Sequence, residues 1–305
     1  MIQVFSNRKD KKHQYRFTDL SEGTDVNGIG FDPIEVAISR DGIKWESIYD
    51  QINLENVYVA DTPYVAEAKP TDDYQKVGIN DGESLIASSY AQRELKAVFV
   101  FNGIDANDTK LAFDALQRWI VSRSPYWICF SSWPQRTYYV KATTIEQTHL
   151  TDSGYVTTVT FTDQVGLSRS VGSTGDWENH IRGFGNNESN GIENYAFTGN
   201  NFVVRNLSDV LIDPERRGHP LKIIVDGSSN GKFKITNETN GTSISREKSF
   251  SGKWVLDGVN PTLDGKPDLV NTDYGTIALS MGDNRIKLDN FSGKVTFDFP
   301  MWWLS

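Results

Sequence analysis

The sequence predicts a mainly β protein: an amino-terminal β-rich domain with one packed α-helix, followed by a carboxy-terminal β-sandwich. Three observations carry this expectation. β-branched and aromatic residues alternate with polar ones in short runs over most of the chain, the period-two pattern of half-buried strands. One segment alone switches to helical spacing. A polar stretch punctuated by Gly166, Gly172, Gly175, Gly183, Gly185, Gly191 and Gly199 then divides two strand-rich regions. At 305 residues, the chain has room for two domains of roughly 100–200 residues. The expected division is 1–165 for the first domain, 166–200 for a linker or boundary region, and 201–305 for the sandwich.

In the first domain the earliest clear strand is 34–39. Asp41-Gly42 predicts a tight turn to a partner at 43–48, because glycine supplies the positive φ such turns need. After a strand at 95–101, positions 109–123 read as the helix. Ala112, Ala115, Leu116, Trp119 and Ile120 share one face, and Asp108 stands where a carboxylate caps the first-turn amides. Pro125 forbids continuation, since it lacks an amide hydrogen and biases Ser124 away from helix. Strands follow at 126–130, 138–142 and 155–162, the last being the clearest, with Tyr155, Thr157, Val159 and Phe161 on one face. One helix amid so much strand predicts packing on an antiparallel or mixed sheet. The sandwich strands are expected at 202–206, 221–226, 232–237, 253–257, 285–288 and 294–299. Asp226-Gly227-Ser228-Ser229-Asn230-Gly231 predicts a hairpin pairing 221–226 with 232–237.

Composition excludes several function classes. The net charge of -9 disfavours specific nucleic-acid binding, because phosphate contacts need Lys and Arg to displace counterions. The basic cluster Arg8-Lys9-Asp10-Lys11-Lys12-His13 reads as a solvated turn. Cys129, the single cysteine, rules out an internal disulfide and a cysteine-based zinc site, and its apolar neighbours predict a buried thiol. No stretch of ~18 apolar residues occurs, and the first 20 residues lack a cationic start before an apolar run. Neither membrane spanning nor secretion is therefore expected, and the site of synthesis is the cytoplasm.

Catalytic patterns are missing. His13, His149, His180 and His219 are scattered, without a His-x-x-x-His or Glu-x-x-His pair to hold a metal. There is no Gly-x-Ser-x-Gly elbow and no phosphate-cradling glycine loop. The acid pairs Asp72-Asp73, Asp213 with Glu215, and Asp264 with Asp268 have the residue types a glycosidase uses, yet an acidic surface supplies such pairs by composition alone. No enzyme, cofactor or metal site is expected. Tryptophans are the more informative class. Trp133 lies beside strands of the first domain, and Trp177, Trp254, Trp302 and Trp303 are the candidate sugar-stacking or interface aromatics, since aromatic rings serve both settings.

The stretch from Arg93 to Thr162 resembles the amino-terminal domain of distal tail proteins (Dit) of long-tailed, siphovirus-type bacteriophages. The resemblance rests on order: Arg93, then Val98-Phe99-Val100-Phe101-Asn102-Gly103, the helical stretch 111–120, Pro125-Tyr126-Trp127, Arg136-Thr137-Tyr138-Tyr139-Val140, and Gly154-Tyr155-Val156 running on to Phe161. Residues 15–42 match the family's opening strand and hairpin more loosely. Phe202-Val203-Val204-Arg205-Asn206, Leu221-Lys222-Ile223 and Phe233-Lys234-Ile235-Thr236-Asn237 resemble its second domain, a galectin-like or carbohydrate-module-like sandwich. The resemblance implies a structural hub of the tail tip or baseplate in the virion: a homohexameric ring joining the tail tube to the host-adhesion apparatus. Its implied partners are the tail tube protein, a tail tip or tail-associated lysin protein and a receptor-binding protein. The alternative is a polysaccharide-binding module that recognises the host wall.

Overall fold

The computed structural model describes residues 2–8, 33–79, 81–176 and 194–305. The chain divides into two compact units, Ile2–Ser168 with Leu304–Ser305, and Arg169–Trp303. Residues 169–176 belong to the second: the Ser170 amide donates to the Met301 carbonyl at 2.9 Å and the Thr174 amide to the Phe299 carbonyl at 3.0 Å.

The first unit holds β1 (Val36–Ser39), β2 (Glu46–Ser47), β3 (Val57–Val59), β4 (Tyr64–Val65), β5 (Pro70–Gln75), β6 (Ser84–Tyr90), β7 (Arg93–Asn102), α1 (Ala106–Ile120), β8 (Tyr126–Phe130), β9 (Arg136–Thr151) and β10 (Gly154–Asp163). Its main sheet runs β2-β1-β8-β9-β10-β7-β3, with β4 also on β7, and its pairings are antiparallel. Asp41-Gly42 makes the expected turn, with Gly42 at φ 75 and Ala37 opposite Ser47. Ile34, just ahead of β1, exchanges amide–carbonyl bonds of 2.9 and 3.1 Å with Val59 of β3. The strand path thereby returns to its start and closes as a small barrel. Closure satisfies the strand edges, and the interior is filled by side chains. Leu95, Ala97, Phe99 and Phe101 of β7 and Tyr155, Val159 and Phe161 of β10 are the inward residues of their strands.

The helix starts three residues earlier than the sequence predicts. Asp105, not Asp108, is the cap, its carboxylate accepting from the amides of Asn107 and Asp108 at 2.9 Å each. Asp108 accepts from the Ile104 amide, one residue before the cap, at 3.0 Å, and so fixes the entry of the chain into the helix. At the other end the Tyr126 hydroxyl donates to the Ile120 carbonyl at 2.7 Å, satisfying one of the last carbonyls, so the helix ends before Val121 and not at 123. Ala112, Leu116 and Ile120 bury the predicted face in the barrel core.

In the second unit, after the short β11 (Ser168–Ser170), come β12 (Ala196–Phe197), β13 (Asn201–Asn206), β14 (Lys222–Ser229), β15 (Phe233–Asn237), β16 (Ser243–Arg246), β17 (Phe250–Asp257), β18 (Asn260–Leu263), β19 (Lys266–Pro267), β20 (Gly282–Asp289), β21 (Ser292–Asp298) and β22 (Trp302–Trp303). Two sheets, β12-β21-β14-β17-β18-β19 and β13-β20-β15-β16, form the sandwich. The expected hairpin between 221–226 and 232–237 does not form. β14 lies between β17 and β21, whereas β15 pairs with β16 and β20 in the other sheet. The reason is that Gly227, Ser228 and Ser229 continue the strand. Gly227 faces Gly252 on one side and Gly293 on the other, a backbone approach that only glycines permit. Asn230-Gly231 then carries the chain from one sheet to the other.

The sandwich core is aromatic: Phe233 meets Phe250, Trp254 and Phe291 with ring centroids 5.4–5.9 Å apart. A buried tryptophan removes roughly 200 Å² from water, an upper estimate of about 5 kcal/mol for Trp254. Its indole N–H donates to Asp268 Oδ2 at 3.1 Å, and that carboxylate also takes Arg246 Nε at 2.6 Å and Asn271 Nδ2 at 2.7 Å. Burial opposes the Asp268 charge, but these donors outweigh it and hold the carboxyl below its ordinary value. Among the described residues no helix is long and apolar enough to cross a membrane.

Candidate assembly interface

The feature of the first unit that its own core does not account for is the β5–β6 hairpin. Among the described residues these two strands form a separate two-stranded sheet. Every residue of β5 is exposed, and β6 is exposed over most of its length. A lone hairpin is marginal in water. This one nevertheless displays Tyr74, Val77, Ile79, Leu85 and Ile86, each at least half exposed. The register slips so that Tyr74 faces Leu85 and Asp73 faces Ala87, leaving Ile86 as a bulge residue. Gly78 and Gly82, both at positive φ, shape the tip.

Beside the root of this arm lies a groove of about 640 Å³. One wall is the segment around β4, with Pro63, Val65, Ala66, Glu67 and Ala68. The other is the β8–β9 connection, with Phe130, Trp133 and Tyr138, and Leu304 and Ser305 complete the lining. Two buried arginines hold these walls. Arg93 gives Nε to Asp163 at 2.9 Å, and its Nη1 donates to the Leu304 carbonyl at 2.6 Å and the Ala66 carbonyl at 3.3 Å. Its guanidinium also lies 5.7 Å from the Tyr138 ring centre. Arg136 donates to Ser168 Oγ at 3.1 Å and Ser305 Oγ at 2.8 Å, and lies 4.4 Å from the Trp133 ring centre. A guanidinium suits this task because its planar fork directs several donors at once, which an ammonium cannot match. The two arginines that mark the resemblance in sequence are therefore structural staples of the groove.

The candidate aromatics are placed differently from one another. Trp254 and Trp303 are fully buried and Trp302 nearly so. The Trp302 ring stacks on His219 at 5.2 Å. None of the three offers an open ring face to a sugar. Trp177 lies outside the described residues, as do His13, His180 and the basic cluster beyond Arg8. Among the described residues the exposed tryptophan is Trp133, at 44%, on the rim of the groove. Of the acid pairs, Asp213 caps the amides of Glu215 and Arg216, Asp264 accepts from the Lys253 amide and Asp268 is held by Arg246. Asp72 and Asp73 sit on the exposed arm. Cys129 is buried, and desolvation raises its thiol well above the ordinary value, so it is unreactive.

The arm had no period-two signature in the sequence. Alternation is written only where one face is buried, and both faces of β5 are exposed. The turn pair Asp81-Gly82 was its one local signal.

Most of the region that forms this barrel, its helix and its hairpin, residues 44–162, matches the model of the phage tail protein RIFT-related domain. Over a longer span the chain is similar to the crystal structure of the Dit protein of phage SPP1, described as a paradigm of the hub adsorption apparatus in phages infecting Gram-positive bacteria. The identity is 14%, the coverage 88% of this chain and 100% of that one, and the TM-score 0.61. Residues 44–162 are thus similar to a phage tail domain, and the longer alignment shows a fold shared with that protein. A chain of the phage P2 baseplate in its activated conformation with calcium aligns at 11% identity over 88% of this chain and 98% of its own, with a TM-score of 0.42. No curated protein sequence matches.

Proposed function

We propose that the chain is the structural hub of a phage tail tip or baseplate, a homohexameric ring that joins the tail tube to the tip and the host-adhesion apparatus, with no catalytic role. The observation that carries this reading is the β5–β6 arm. An exposed two-stranded sheet with apolar side chains is stable when it packs on something else, and a tail domain built to repeat around an axis supplies a copy of itself. The tail domain match and the fold shared with a hub protein support the same reading. An acidic chain, at net charge -9, also suits a channel that DNA traverses, since it offers few cations to bind phosphates.

Mass in solution tests the ring. Six copies of the 34.3 kDa chain give about 206 kDa for a closed cyclic assembly, and negative-stain images of that species are expected to show six-fold rings. A closed dimer contradicts the reading.

A further inference from the structure

We infer that the groove between Val65, Ala68 and Trp133 seats the β6 edge of the arm of a second copy of this chain; the inference rests on the ring reading and names the contact that closes it. Four observations lead there. First, the groove is lined mainly by aliphatic and aromatic side chains, and the arm displays Leu85 and Ile86 at 54% and 59% exposure. Second, β6 has no charged side chain in its seven residues. Exposed edge strands are normally guarded by Lys, Pro or another charge against pairing with a further chain, so an unguarded edge on an acidic protein marks a surface that is covered in use. The acids Asp72 and Asp73 lie on β5, across the hairpin from Ser88 and Ala87, and stay at the solvent side when β6 is buried.

Third, Ala68 lines the groove just before β5 begins at Pro70. The arm leaves from there and reaches about 20 Å at ~3.3 Å per residue. Its apolar residues are exposed, so the groove they fit is a neighbour's. Fourth, arm and groove are different patches of one domain. Patches of that kind make a heterologous, head-to-tail contact, which generates a ring when the rotation closes.

The test is site-directed cross-linking in the full chain, with one cysteine at Ala68→Cys or at Leu85→Cys and a short bismaleimide. Cys129 is fully buried and gives little background. A mixture of the two variants is expected to give a covalent dimer, at least tenfold more than either variant alone, and a chain with both substitutions a ladder that stops at six. Rings of full mass without the mixed cross-link overturn the arm-in-groove contact and leave the ring reading standing. Linkage within the single variants shows a two-fold contact and overturns the inference, and a monomer without cross-links overturns both.

Discussion

Arg93 Nε lies 2.9 Å from Asp163 Oδ2, with the two side chains only 2% and 0% exposed. The pair joins the first residue of β7 to the last of β10, directly opposite in register, and the same guanidinium ties in the Ala66 and Leu304 carbonyls. Burial pushes the Asp163 carboxyl above its ordinary value, against the pull of Arg93. Removing the cation leaves that carboxylate buried without its counter-charge, so Arg93→Ala is expected to cost about 3–5 kcal/mol. Arg93→Lys recovers only part, because one ammonium cannot reach all three oxygens. An apolar double replacement, Arg93→Met with Asp163→Leu, is expected to restore most of the loss. Urea denaturation of the four proteins checks this; equal stability of Arg93→Ala and the parent would show that the staple is dispensable.

Ile86 is expected to behave in the opposite way. It is 59% exposed and on a strand without a core, so Ile86→Asp changes folding stability by no more than about 0.5 kcal/mol. In the proposed ring the arm-in-groove contact covers the same side chain, and a carboxylate there would have to be desolvated. Self-association is therefore expected to weaken by at least about tenfold, or ~1.4 kcal/mol. Thermal melting reads the first quantity and sedimentation the second, and a variant that melts early without dissociating would place Ile86 in a structural role.

How much of this was legible depends on what buries each residue. β10 was plain because Tyr155, Val159 and Phe161 point into a core while Val156, Thr158 and Thr160 do not, and the single helix showed its face for the same reason. Closure of the barrel through Ile34 and Val59 joins residues 25 apart by one reciprocal backbone pair, and nothing in either side chain encodes it. The hairpin between 221–226 and 232–237 was misread because Gly227 signals a turn locally while its tertiary neighbours, Gly252 and Gly293, make it a strand residue. For the interface, Arg93 and Arg136 stood out by their positions, but their burial did not. The arm was silent, since a strand exposed on both faces leaves no alternation within one chain.

Gly227 itself gives a further test. A Cβ there would run into the Ser292 carbonyl oxygen and sit 2.8 Å from Gly293 Cα and 2.9 Å from the Phe291 ring. The strands cannot part without breaking the β14–β21 ladder, so Gly227→Ala is expected to cost about 1–3 kcal/mol. Gly241→Ala is the control: it also has positive φ, but nothing lies within 4 Å, and it carries only the backbone penalty of roughly 1–2 kcal/mol without the collision. Chemical denaturation followed by tryptophan fluorescence separates them, and a Gly241 variant at least as damaged as the Gly227 variant would remove the close-approach explanation.

His219 is expected to make the second unit sensitive to mild acid. Its ring is buried against Trp302, and Nδ1 lies 2.9 Å from the Leu211 carbonyl oxygen, the distance of an Nδ1–H donor. Burial lowers its pKa from the ordinary 6.5; Arg217 acts in the same direction, while the Leu211 carbonyl and Asp213 partly oppose it. An imidazole depressed in the folded state is neutral there when the unfolded chain already binds a proton. Its contribution is thus complete above pH ~6.5 and is lost as pH falls through the lower folded value, at up to about 1.4 kcal/mol per pH unit between the two. The parent is expected to lose stability between pH 7.5 and 5 more steeply than His219→Asn, whose amide can still donate to Leu211 but does not titrate. Parallel curves for the two proteins over that range would assign the acid sensitivity to other groups.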